Sequence, residues 1–264
     1  MNTFYKAFDF YLKSSIHVAL AICSLEIITH LNYRLPLDWS ILVFLFSASI
    51  IGYNFSKNGN KLLWDSSLKP IIKFTVLWLP VLLITLFLQS FHFILLTGIL
   101  GLITFFYNQP VGSHKNLRNL RGIKTLIIGF VWSIACVWLP LIGKYPLFRI
   151  EVILDNLTYF ILVLILLLPF EIRDLSFDEE ELGTIPQRLG IKKTQYFGYF
   201  LIGIFILLTA LNPLSGWKHF FISMFIGMLS GFLLRFSRKE QSPYYSAFWV
   251  ESIPIIWLVL LLIF

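Results

Sequence analysis

The sequence predicts an all-α protein that crosses the membrane nine times as a single helical domain, residues 1–264, and three observations carry that prediction. It is 58% hydrophobic and only 13% charged, about half the charge of a soluble domain. Apolar runs long enough to cross a bilayer recur along its whole length. Inside a bilayer no water is present to satisfy backbone groups, so such runs fold as helices that close their hydrogen bonds internally.

The spans fall at roughly 14–30, 37–54, 70–89, 91–107, 123–142, 152–170, 195–211, 217–236 and 247–264. Met1–Lys13 has aromatic and charged residues but no short apolar core followed by a small-residue cleavage site, so the first span is expected to act as its own insertion signal. The third and fourth spans nearly touch around Ser90, which predicts a tight hairpin. Pro80, Pro140 and Pro254 lie within or at the ends of spans, where a bundle tolerates kinks. Cys23 and Cys136 both fall in apolar segments, which argues against a disulfide framework or a zinc site.

Sidedness follows from the basic residues. With nine spans, 17 of the 21 Lys and Arg fall on the side of the N-terminus, and Arg34, Lys144, Arg149 and Lys218 on the other. The positive-inside rule then predicts a cytoplasmic N-terminus, cytoplasmic polar loops and an outside C-terminus, in the cell (inner) membrane. Because the basic residues are dispersed among loops, the net charge of +7 does not form a nucleic-acid patch.

The acidic residues concentrate instead. Glu171, Asp174, Asp178, Glu179, Glu180 and Glu181 fall within eleven positions between two nearly uncharged spans. Asp174 and Asp178 stand four apart, so on a helix they share a face one turn apart. Such a pair either lies in a solvated loop or holds a hard cation such as Mg²⁺, which takes oxygen ligands and shares its shell with substrate phosphates. Two further loops on the same side are rich in polar residues. One is Gly52-Tyr53-Asn54-Phe55-Ser56-Lys57-Asn58-Gly59; the other runs from Tyr107-Asn108-Gln109-Pro110 through Lys115 and Arg118 to Arg121-Gly122-Ile123-Lys124. Within the spans, Glu26 has His30 one turn on, and Glu251 either faces a polar cavity or snorkels to the interface.

Taken together, the three loops resemble the UbiA superfamily of intramembrane prenyltransferases, over most of the chain. Asp174-x-x-x-Asp178, followed by Gly183-Thr184-Ile185-Pro186 and Leu189-Gly190, is similar to that family's second aspartate motif. Tyr107…Pro110…Arg121-Gly122-Ile123 resembles the loop between its fourth and fifth helices. The resemblance implies a nine-helix bundle of the UbiA type and a Mg²⁺-dependent transfer of a polyprenyl group from its diphosphate to a lipophilic or aromatic acceptor. It implies metal contacts from Asp174, Asp178, Glu171 and Asn54, with Asp174, Asp178 and Asn54 as the catalytic set. Arg121, Lys124, Lys115, Lys57 and Arg173 would hold diphosphate oxygens. The first motif departs from the family pattern: Asn54 is present, but Phe55, Asn58 and Leu62 stand where carboxylates would be expected. That departure motivates a second expectation, a weakened relative that binds isoprenoid lipid or scaffolds a partner. A transporter is a third, disfavoured because ionisable residues are scarce in the middle of the spans.

Overall fold

A computed structural model of the chain describes residues 3–58, 68–109, 117, 122–177 and 182–264. Among these residues the structure is helical throughout. Eight helices are long and apolar enough to cross a membrane, or nine if the bent pair at the N-terminus counts as one span. The protein is a multi-pass membrane protein, and the nine expected spans match the helices to within a few residues.

The first span is a bent pair, α1 (Thr3–Lys13) and α2 (Ile16–Asn32), meeting at 56°. The bend sits at Ser15, whose φ of 65° is left-handed. A non-glycine residue there is strained, and Asn54 holds it. Ser15 Oγ donates to Asn54 Oδ1 at 2.8 Å, while Asn54 Nδ2 donates to the Ser14 carbonyl at 3.1 Å and to Thr75 Oγ1 at 2.8 Å. The remaining spans are α3 (Trp39–Asn58), α4 (Lys69–Phe87), α5 (Phe91–Asn108), α6 (Lys124–Ser133) continuing through a π-helical turn into α7 (Leu139–Leu141), and α8 (Ile150–Asp174). After the short α9 (Ile185–Leu189) come α10 (Ile191–Leu211), α11 (Trp217–Phe236), and a π-helical turn leading into α12 (Ile253–Ile263).

Packing orders the spans into a ring. Going round, α2 meets α3 and α3 meets α4; α5 meets α6, α6 meets α8, then α10, α11 and α12 follow, and α12 returns to α2. The loosest joint is between α4 and α5, since α4 packs along α3 and α5 along α6. Their outer faces, including Leu77, Ile84, Phe87, Leu95 and Leu102, are exposed, as lipid-facing surfaces must be. Close packing elsewhere depends on small residues. At Gly198 a Cβ would stand 2.1 Å from Leu234 Cδ2 and 2.9 Å from Leu168 Cδ1, so only glycine lets α10 lie this close to α8 and α11.

Polar side chains inside the bundle bond across helices. Tyr159 Oη donates to the Leu25 carbonyl at 3.1 Å and Thr29 Oγ1 to the Cys136 carbonyl at 2.8 Å. Glu26 and His30 pair at 3.2 Å, both buried. Cys23 and Cys136 are free and buried.

At the end of the bundle opposite Asp174, Lys144 Nζ contacts Asp38 Oδ2 at 2.7 Å, joining the loop before α3 to the loop before α8. Burial raises the Asp38 carboxyl, but hydrogen bonds from Lys144 and Ser40 outweigh it and hold the group down at about 2. A depressed carboxylate stabilises the fold fully above its unfolded value of about 3.9, and that contribution is lost as pH falls through the folded value. The expected result is a melting temperature for wild type that drops towards the Lys144→Ala value between pH 4 and pH 2. The pair is part-exposed, so the difference at neutral pH should be at most about 1 kcal/mol. A gap between the two proteins that persists unchanged at pH 2 would contradict this.

Candidate functional site

Two cavities share a wall at the end of the bundle that carries Asp174. The first, about 360 Å³, is polar and lies among α3, α5, α6, α8 and the start of α12. Its charged lining comes from four directions: Lys57 from α3, Lys124 from α6, Glu171, Arg173 and Asp174 from α8, and Glu251 from the turn before α12. The second, about 540 Å³, is an apolar groove among α3, α4, α5 and α6 that runs from Ser56 and Tyr107 towards Phe44, Leu86 and Leu139. Tyr53, Ser56, Tyr107, Ile128 and Trp132 line both. Trp132 Nε1 donates to Tyr53 Oη at 2.6 Å, so an aromatic pair fixed by a hydrogen bond stands where the two meet.

Local structure explains how these side chains arrive. On α8, Glu171 and Asp174 are three residues apart and share a face. Pro169 lies in the turn below them, and its carbonyl accepts from Gln241 Nε2 at 3.0 Å, tying α8 to the segment before α12. Arg173 Nε donates to Asp174 Oδ1 at 2.7 Å, and its guanidinium lies 5.1 Å from the Phe170 ring centroid. Lys57 Nζ donates to Ser15 Oγ at 3.2 Å and lies 5.6 Å from the Tyr53 ring centroid. Ser56 Oγ donates to Asn108 Oδ1 at 2.9 Å, linking the ends of α3 and α5. The motif loops also touch: Gly122 N–H donates to the Leu182 carbonyl at 3.1 Å. Gly122 has φ of 75°, a left-handed conformation that calls for glycine. Thr184 then starts α9 with a reciprocal capping box to Gln187.

Of the residues singled out from the sequence, Asp174, Glu171, Arg173, Lys57 and Lys124 line one cavity. Asp178, Lys115 and Arg121 lie outside the described residues. Asn54 is placed elsewhere: it is 1% exposed, outside the cavity lining, and both ends of its amide are engaged at the α1–α2 bend. Glu251 takes the cavity-facing of its two expected positions. Sequence reasoning passed over Thr125 and Trp132; the signal was their place on the Ile128 face of α6, at spacings of three and four.

The donor set suits a cation that arrives with its phosphates. Among the described residues no group of three or more His, Cys, Asp or Glu could hold a metal alone. Glu171 and Asp174 supply two carboxylates beside open space, and Mg²⁺ is usually held by one or two carboxylates plus substrate oxygens.

The chain is a polytopic helical bundle with a charged cavity adjoining an apolar groove, and it has the fold of the UbiA membrane proteins. It superposes on a UbiA homologue from Aeropyrum pernix K1, solved in its apo form, with a TM-score of 0.68 over 94% of this chain and 98% of that one, at 14% identity. It also matches a structure of digeranylgeranylglyceryl phosphate synthase, with a TM-score of 0.60 over 96% of this chain and 94% of that one, at 16% identity. No family model and no curated protein matches the sequence. At these identities the likeness is one of fold.

Proposed function

We propose that this protein transfers a polyprenyl group from its diphosphate to a lipophilic or aromatic acceptor within the cytoplasmic half of the cell membrane, with Mg²⁺. The observation that carries the reading is the junction of the two cavities. A charged cavity large enough for a diphosphate adjoins, across Tyr53 and Trp132, an apolar groove suited to an isoprenoid tail. The fold shared with a digeranylgeranylglyceryl phosphate synthase supports it.

In this reading Lys57, Lys124 and Arg173 bind the diphosphate oxygens, and Lys115 and Arg121 add to them from the neighbouring loop. Glu171 and Asp174, with Asp178, hold Mg²⁺ against the same oxygens. Bound Mg²⁺ neutralises the charge that develops on the leaving diphosphate. Tyr53, Tyr107 and Trp132 present ring faces where the allylic cation forms, and such faces stabilise cations while excluding water. Asn54 acts at one remove: it fixes Ser15, and Ser15 holds Lys57.

A second reading, binding of isoprenoid lipid without turnover, draws on one observation. The end of α3 gives the cavity Tyr53, Ser56 and Lys57 but no carboxylate. Purified protein in nanodiscs with geranyl, farnesyl or geranylgeranyl diphosphate separates the two. Release of pyrophosphate that requires Mg²⁺ and stops with chelator is the expected result. Tight donor binding without any release would overturn the enzyme reading in favour of the second.

A further inference from the structure

Glu251 lines the cavity directly after a local break in helical register. Tyr245–Val250 forms a π-helical turn, and the Glu251 N–H donates five residues back to the Ser246 carbonyl at 3.3 Å. Ala247, Glu251 and Pro254 lie on the cavity wall. Such turns are rare and collect at functional sites. The segment is also pinned: His17 Nε2 lies 3.1 Å from Ser252 Oγ and 3.0 Å from the Phe248 carbonyl oxygen.

The Glu251 carboxylate makes no hydrogen bond or direct ion pair with any described residue. The charged groups within electrostatic reach of it are Lys57 and Arg173. Glu171 and Asp174 line the same cavity. The described charged lining then sums to neutrality, Lys57, Lys124 and Arg173 against Glu171, Asp174 and Glu251.

We propose that Glu251 is a built-in competitor for the diphosphate: a fixed carboxylate that balances Lys57 and Arg173 in the empty cavity and weakens their hold on the anion, so that pyrophosphate can leave. The inference rests on reading the cavity as a diphosphate site. Cations at a membrane boundary attract a polyanion, and a carboxylate among them, carrying the same sign as the anion, lowers that affinity.

The test is calorimetric titration of inorganic pyrophosphate into the full chain in phosphatidylcholine nanodiscs, with and without Mg²⁺. Glu251→Gln is expected to bind pyrophosphate about tenfold more tightly than wild type, the size of one unscreened like charge at the edge of a solvated site. Glu251→Ala carries the same expectation, and Glu251→Asp should stay near wild type. Adding Lys57→Gln to Glu251→Gln should remove most of the gain. Equal affinity would overturn the proposal, and so would weaker binding, which with Mg²⁺ alone would make Glu251 a metal ligand. If wild type binds pyrophosphate and only the gain is missing, this inference fails by itself; binding to neither protein removes the diphosphate reading together with it.

Discussion

Asp174→Asn is expected to lower pyrophosphate release from an allylic diphosphate about 10²–10³-fold at saturating donor, on the scale of losing one preorganised stabiliser of developing charge. The carboxylate lines the cavity, accepts from Arg173 on one oxygen and leaves the other for a cation. The neutral amide keeps the shape but offers a weaker ligand, so the Mg²⁺ concentration for half-maximal rate should rise. Asp174 is part-exposed at the end of α8, so melting temperature should move little. Arg173→Gln is the control. It removes a diphosphate contact and the partner of Asp174 but spares the metal's carboxylates, so it should raise the donor KM more than the Mg²⁺ requirement. Unchanged release by Asp174→Asn, with wild type active, would remove Asp174 from the mechanism.

The second large effect lies in the groove. Ala135 sits in the π-helical turn Ile134–Trp138, between Trp132 at the shared wall and Leu139 at the far end. In water a filled groove would cost a ligand its hydrophobic burial. Here the displaced tail has lipid to enter, so little burial energy is lost. The loss falls on alignment, because a tail that cannot seat holds C1 away from its place over the diphosphate contacts. Misplacement of about 1 Å costs roughly 10²-fold. Ala135→Phe should therefore cut kcat/KM for geranylgeranyl diphosphate about 100-fold while geranyl diphosphate keeps most of its rate. Equal losses for both donors would show a general packing defect instead of a measure of tail length.

The spans were legible because a bilayer imposes one rule on the backbone, and the apolar runs report it directly. The end of α8 was legible for a similar reason: carboxylates beside an uncharged span have few places to go, and Glu171, Arg173 and Asp174 do meet in one cavity. Asn54 was harder. Its place at the end of α3 suggested a site contact, but the amide serves a bend 40 residues earlier in the chain, and no local pattern encodes a partner that distant. Glu251 was visible only as an ionisable residue in a span. It follows a π-helical turn, and the run Tyr-Ser-Ala-Phe-Trp-Val carries no cue for one. Trp132 was passed over because its partner Tyr53 comes from α3, 79 residues away in the chain.

The bend between α1 and α2 has a consequence for the proposed chemistry. Ser15 Oγ is at once the donor to Asn54 and the acceptor from Lys57, so a single hydroxyl ties the tilt of the first helix to one cation of the cradle. Lifting or flattening α1, by a thinner bilayer or by a protein settling on its surface, draws Ser15 away and lets Lys57 swing. The membrane outside the protein then becomes a dial on the grip proposed inside it.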